Sequence, residues 1–238
     1  MRSNLAELPP VITIDGPSGV GKGAVSAALA KDLGWHLLDS GAVYRALALY
    51  AYRLGIDSAD EAGLVTAAAQ MDLKFLASSA GISVLINGEP VDEALRSEPV
   101  SQMASKVAAI PAVRAALLAI QYQLRQSPGL IADGRDMGTV VFPDAKAKIF
   151  LTASPRERAL RRFKQLKDKG EDVIFDGLFR DITERDQRDR ERAVSPTVPA
   201  DDALVIDSTG MALEEVITKS KAFVAERIAV DSRQDGRD

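Results

Sequence analysis

The run Val11-Ile12-Thr13-Ile14 is short and β-branched, with Pro9-Pro10 in front and glycines behind. That pattern predicts a strand of a parallel sheet covered on both faces. Val25, Leu29 and Leu33 then recur at helical spacing, with Gly34 as a stop. His36 to Leu38 reads as a second short strand, ending at Asp39-Ser40-Gly41. Tyr44, Leu47, Ala51 and Leu54 mark a helix with Ser40 as its N-cap. Between Leu73 and Ile86 the period changes to two, and Asn87-Gly88 offers a type I′ turn before Glu89-Pro90-Val91. This predicts an antiparallel hairpin inserted at roughly 60–95. A helix ending near Ala109 follows, and Pro111 opens another with Val113, Leu117, Ile120 and Leu124 on one face.

Leu130-Ile131-Ala132 and Lys148 to Leu151 read as further buried strands. Ser154-Pro155-Arg156-Glu157 has the form of a capping box with proline at the first helical position. Its helix should reach Lys169-Gly170, and a second should run from Val173 to Arg192. A last strand at Ala203–Asp207, a closing helix through Leu213, Val216, Ile217 and Phe223, and a frayed tail from Asp231 to Asp238 complete the chain. The expected class is α/β, a parallel sheet flanked by helices, as one domain over 1–238.

Strand, glycine loop and helix in that order form the context of a phosphate-binding loop. The candidate residues are Gly16, Pro17, Ser18, Gly19, Val20, Gly21, Lys22, Gly23 and Ala24. Glycines let backbone N–H groups turn toward an anion, the helix N-terminus adds positive potential, and Lys22 brings a mobile charge. The strict signature wants Ser or Thr after the lysine, where Gly23 stands. Lys followed by Gly resembles the nucleoside-monophosphate kinases, which usually place Thr or Ser next, and Ala24 departs from that too. No residue is assigned as a direct metal ligand. Asp133, an acid ending a strand near the loop, is the candidate to face Mg²⁺ through water.

Composition narrows the partners. The chain has 238 residues, a hydrophobic share of 46% and no cysteine, so thiolate metal sites and disulfides are out. His36 is the single histidine. Residues Met1 to Leu8 lack a signal-peptide core, and no apolar run is long enough for a bilayer. The expectation is a cytoplasmic chain with no membrane partner. A net charge of −4 speaks against nucleic acid, although arginines cluster at Arg156–Arg162 and Arg180–Arg192. Phe175, Leu178, Ile182, Arg185, Asp189 and Arg192 fall on one helical stripe that turns from apolar to charged. A solvated face is the usual reading of such charges. Here they continue the inward, apolar side, where unpaired arginines are costly, so the stripe is expected to face a cleft that holds a small anion. Ser40 is either a cap or a docking residue, and Arg45 either solvated or a ligand.

Three classes use such a loop. A GTP switch needs an Asn-Lys-x-Asp reader, and neither Asn4 nor Asn87 precedes lysine. A transport or motor ATPase needs a longer chain and its own segments. Phosphoryl-transfer kinases need positioned cations rather than covalent chemistry, and fit best.

The segments Gly-Pro-Ser-Gly-Val-Gly-Lys-Gly (16–23), Leu-Leu-Asp-Ser-Gly-Ala-Val-Tyr-Arg (37–45), Ile-Ala-Asp-Gly-Arg-Asp-Met-Gly-Thr-Val-Val-Phe-Pro (131–143) and Arg-Asp-Gln-Arg-Asp-Arg (185–190) resemble the bacterial cytidylate kinases, in order along nearly the whole chain. The resemblance implies a P-loop kinase fold with a core, an NMP-binding insertion and a helical LID, the last with its arginine-bearing helix at about 155–192. It implies that Ser40 lies at the CMP site, that Arg45, Arg135 and Arg192 hold the CMP phosphate, that Ser105, Arg114 and Asp136 read cytosine, and that Arg185 and Asp189 lie near the ribose. Lys22, Arg185 and Arg192 are the implied catalytic residues. The implied activity is a transferase of pyrimidine nucleotide metabolism, ATP and CMP giving ADP and CDP, with dCMP as a second acceptor and Mg²⁺ accompanying ATP. The runner-up is a UMP or broader pyrimidine-monophosphate kinase. A monomer acting on small molecules is expected. The chemistry agrees: a carboxylate such as Asp136 can accept from the cytosine amino group, while Arg114 and Ser105 donate to ring acceptors.

Overall fold

A computed structural model describes residues 8–78 and 81–234, in two compact units, Met1–Leu38 with Gln123–Asp238 and Asp39–Tyr122. In the first unit the chain begins with β1 (Val11–Asp15), α1 (Lys22–Leu33) and β2 (His36–Asp39). It resumes after the second unit with β6 (Leu130–Gly134), β7 (Ala147–Thr152), α6 (Pro155–Asp168), α7 (Phe175–Glu191), β8 (Leu204–Asp207) and α8 (Leu213–Gln234). Among the described residues these strands form one sheet in the order β2-β6-β1-β7-β8. β1 pairs in parallel with β6 on one side and β7 on the other, and β8 pairs in parallel with β7. Every residue of β1 and β6 is buried, as their largely apolar runs require. Ile12, Ile14, Val25, Leu29, Ile131 and Leu151 anchor the core of this unit.

The parallel arrangement brings the C-terminal ends of β1 and β6 side by side, Asp15 opposite Gly134. The loop after β1 and the turn after β6 therefore share one edge of the sheet, where open α/β folds bind ligands. Gly16 takes φ 141°, and a Cβ there would come 2.0 Å from the Leu151 carbonyl oxygen. Only glycine lets the loop leave the sheet so close to β7.

The second unit holds α2 (Ser40–Arg53), α3 (Glu61–Gln70), β3 (Leu73–Ser78), β4 (Gly81–Ile86), β5 (Glu89–Pro90), α4 (Glu98–Val107) and α5 (Pro111–Gln123). β3, β4 and β5 form an antiparallel sheet. Asn87 and Gly88 at φ 51° and 85° make the expected turn between β4 and β5. α2 packs against α3, α4 and β4, and most of its residues are buried. The side chains expected to alternate at Leu76 and Ile82 lie outside the described positions.

Several local expectations are corrected. Asp39, not Ser40, caps α2, its carboxylate accepting from the Ala42 N–H at 3.1 Å. Two cap-forming residues stand in a row, and the first one took the role. Leu54 lies beyond α2 and is exposed. α3, capped by Asp60, occupies a stretch read only as the start of the insertion. The buried face of α5 carries Val113, Arg114, Leu117 and Gln121, while Ile120 and Leu124 are only half-buried. The capping box is one-sided: Ser154 accepts from the Glu157 N–H, but Glu157 pairs with Arg161 and the Ser154 N–H goes to Thr209. α8 continues through Asp231 to Gln234, so the tail begins later than expected, and 235–238 lie outside the described residues.

Gly16→Ala should destabilise the chain by at least about 2 kcal/mol, since it meets both a backbone clash and an unfavourable φ. Thermal unfolding against the parent measures it. An unchanged midpoint would contradict the close approach to β7.

Candidate active site

The phosphate loop runs from Gly16 to Gly21, with Gly19 and Gly21 also at positive φ, 79° and 97°. Gly21 caps α1 without a side chain, which leaves the first N–H groups of the helix to another acceptor. Lys22 opens the helix and folds back, its Nζ donating to the Pro17 carbonyl at 3.0 Å and lying 3.9 Å from Asp133 Oδ1. Asp133 is buried at the end of β6. A Cβ at Gly23 would sit 3.8 Å from its Oδ2, so Asp133 faces the start of α1 closely. Ala24 is exposed.

The loop's own carbonyls are held from behind. Arg158 on α6 is 2% exposed and donates to the Ser18 carbonyl at 3.1 Å and the Ala153 carbonyl at 3.0 Å. Its two terminal nitrogens grip both oxygens of Asp186 on α7. Such a buried pair costs desolvation that hydrogen bonding must offset, and here every nitrogen of the guanidinium is engaged. Sequence reading missed both residues. The available signal was a charged residue one position before Ala159 on the buried face of α6; its partner 28 residues on carries no local signature. Arg161 likewise reaches the Ser208 carbonyl at 2.7 Å.

Beyond β6 the expected residues do gather. Arg135 Nε donates to Asp189 at 3.1 Å, and Asp136 Oδ1 lies 3.9 Å from Arg192 Nη2. Asp136 is 3% exposed and Asp189 is the buried residue of α7. Burial works to raise the Asp189 carboxyl, but Arg135, Arg185 and Arg192 outweigh it and hold it below the usual carboxylate range. The charged end of the stripe thus turns inward, as the cleft alternative requires. Its outline is corrected: Phe175, Leu178 and Ile182 are only half-buried, and Arg192 lies just past the helix, with extended backbone and its Nε donating to the Ser195 carbonyl.

Asp15 is the other residue missed. It ends β1 and accepts from the Met137 and Gly138 N–H groups, each at 2.8 Å. Burial pushes its carboxyl up to about 7, against those two N–H groups, with Asp136 adding to the rise and Lys22 opposing it. An acid closing an apolar strand was its sequence signal, the same one that singled out Asp133.

In the second unit, Ser40 is buried in the first turn of α2, and Arg45 donates to Asp39 at 2.6 Å. Arg114 lies over the Tyr44 ring, 5.7 Å from its centroid, and donates to the Ala108 carbonyl at 3.3 Å. Ser105 is buried on α4.

The family model for cytidylate kinase matches residues 12–226. The chain belongs to the cytidylate kinase family. A cytidylate kinase of Aeromonas hydrophila is 54% identical over 224 residues, covering 94% of this chain and 97% of its own length. One from Klebsiella pneumoniae is 56% identical over 221 residues, covering 93% and 97%. A solved gluconokinase from Sinorhizobium meliloti aligns over 97% of this chain and 99% of its own, at TM-score 0.48 and 16% identity, too distant to bear on the site.

In this member of the cytidylate kinase family, the first unit sets Arg135 against Asp189 and Arg192 near Asp136, and the second sets Arg45 against Asp39. Because Asp189 is held below 3.8 when folded, it stabilises the chain above that pH, and the gain disappears as pH falls through its folded value. Asp189→Asn should therefore cost about 1–3 kcal/mol near neutral pH. The gap to the parent should close on acidification below about pH 4. Unfolding midpoints measured from pH 3 to 7 test this; a gap independent of pH would remove the ionised Asp189 from the account.

Proposed function

We propose that the chain transfers the γ-phosphoryl group of ATP to CMP, and also to dCMP, giving ADP and CDP or dCDP. What carries this reading is the match to the cytidylate kinase family across 12–226, read together with a phosphate loop whose lysine reaches across it. An oxygen of the CMP phosphate attacks the γ-phosphorus as the bond to the β-bridging oxygen breaks. Negative charge spreads over the transferred group, so positioned cations supply most of what the protein must add.

Lys22 leaves the Pro17 carbonyl to meet ATP phosphates, and backbone N–H groups within 18–23 of the 16–24 loop cradle them. Arg45, Arg135 and Arg192 take the CMP phosphate, with Arg185 and Asp189 toward the ribose. Ser40, Ser105, Arg114 and Asp136 hold and read the cytosine end. Among the described residues no cluster of acids and histidine would hold a metal alone. Asp133 beside Lys22 and Gly23 suits water-mediated contact to Mg²⁺ arriving with ATP, and that ion would neutralise phosphate charge.

The hairpin-bearing segment near 60–95 is read as the monophosphate-binding insertion, and 155–192 as the LID with its arginine helix. Anchoring of α6 through Arg158 and Arg161 leaves its second half and the connection to Phe175 to do the moving. Closure would keep water from competing as acceptor. The reaction is assigned to the cytoplasm and to a monomer acting on small molecules, with no nucleic-acid or membrane partner.

A coupled ADP-release assay across CMP, dCMP, UMP and AMP should give CMP first, dCMP next and UMP far behind; equal rates with UMP would favour the broader pyrimidine kinase, and release independent of acceptor would argue against transfer altogether. Lys22→Ala should lower turnover by roughly 10²–10³-fold with the fold intact. Asp136→Asn should lower the CMP-to-UMP ratio of kcat/KM by about tenfold, since the amide can turn its NH₂ toward the uracil carbonyl. A ratio that stays put would take Asp136 out of base reading.

A further inference from the structure

The turn after β6 is capped from the wrong strand. Met137–Val141 form one wide helical turn, closed by Val141 N–H to the Asp136 carbonyl at 3.2 Å and Phe142 N–H to the Met137 carbonyl. The first N–H groups of such a turn have no partner within it. Asp136 stands at the N-cap position, and an aspartate there ordinarily folds its side chain back onto those N–H groups. It makes no such bond here. Both N–H groups are taken instead by Asp15, from β1, at 2.8 Å each. The Asp136 carboxylate lies toward Arg192. Gly138 is pressed into the same arrangement, since a Cβ there would come 2.7 Å from Thr13 Oγ1.

We propose that Asp15 is a positioning residue for pyrimidine recognition: by capping the 137–141 turn in place of Asp136, it keeps the Asp136 carboxylate available to the base. The peptide plane between Asp136 and Met137 carries one of the two clamped N–H groups, so Asp15 fixes the backbone torsion from which the Asp136 side chain departs. The same carboxylate immediately precedes Gly16, and so ties the origin of the phosphate loop to the reading turn. Without Asp15, Asp136 is the carboxylate at the N-cap position of the same turn, the place from which an aspartate ordinarily accepts from those N–H groups. That carboxylate would swing onto its own turn and leave the base. The inference rests on the reading of Asp136 as the group that accepts from the cytosine amino group.

The test is the CMP-to-UMP ratio of kcat/KM at fixed saturating ATP, in which any damage to the phosphate loop cancels. Asp15→Ala should lower the ratio by about tenfold, close to the effect of Asp136→Asn. Asp15→Asn, which keeps one acceptor and turns a donor toward the other N–H, should lower it less, and serves where the alanine variant folds poorly. Because Asp15 acts through Asp136, adding Asp15→Ala to Asp136→Asn should leave the ratio where Asp136→Asn alone puts it. A ratio unchanged in both Asp15 variants, while Asp136→Asn lowers it, overturns the inference and leaves the Asp136 reading standing. A ratio unchanged in Asp136→Asn removes the reading and the inference with it. Independent, multiplying effects in the double variant would show Asp15 acting other than through Asp136, and would also overturn it.

Discussion

A loop that binds an anion with its backbone N–H groups must turn its carbonyls the other way, and each of those then needs a donor inside the protein. That constraint organises the first unit. Lys22 answers Pro17, Arg158 answers Ser18, and the Ser208 hydroxyl lies 3.4 Å from the Val20 carbonyl. The three donors come from α1, α6 and the turn after β8, so the outward face of one short loop draws together the elements around it. Arg158 is the most demanding of them, because a buried guanidinium has to be neutralised as well as hydrogen-bonded. Asp186 meets that need and in doing so fixes α7 against α6.

What the sequence made legible is what local chemistry encodes. β1, its glycine loop and α1 follow from an apolar run, glycines at positions of positive φ and a helical repeat. The hairpin turn at Asn87-Gly88 is equally local. Less legible were choices between near-equivalent neighbours, such as Asp39 over Ser40 as the cap of α2, which the ion pair with Arg45 helps to decide. Least legible were partners far apart in the chain. Asp15 and Met137 are separated by 122 positions, and nothing near either announces the other. Asp189 was placed on a charged stripe correctly, yet its surroundings depend on Arg135 from another element.

Several cations of this protein that are buried or half-buried carry an acidic companion. Arg45 has Asp39, Arg135 has Asp189, Arg158 has Asp186 and Lys148 has Asp202 at 3.0 Å. These companions limit the rotamers open to the cations and fix where their forks point.

That pairing changes what admission of a phosphate means. On the proposed reading, an anion drawn to Arg45 or Arg135 would compete with Asp39 or Asp189 for the guanidinium, as one ligand replaces another at a metal. A released carboxylate would in turn need a new donor, which a sugar hydroxyl or a ring amino group can supply and a simple inorganic anion cannot.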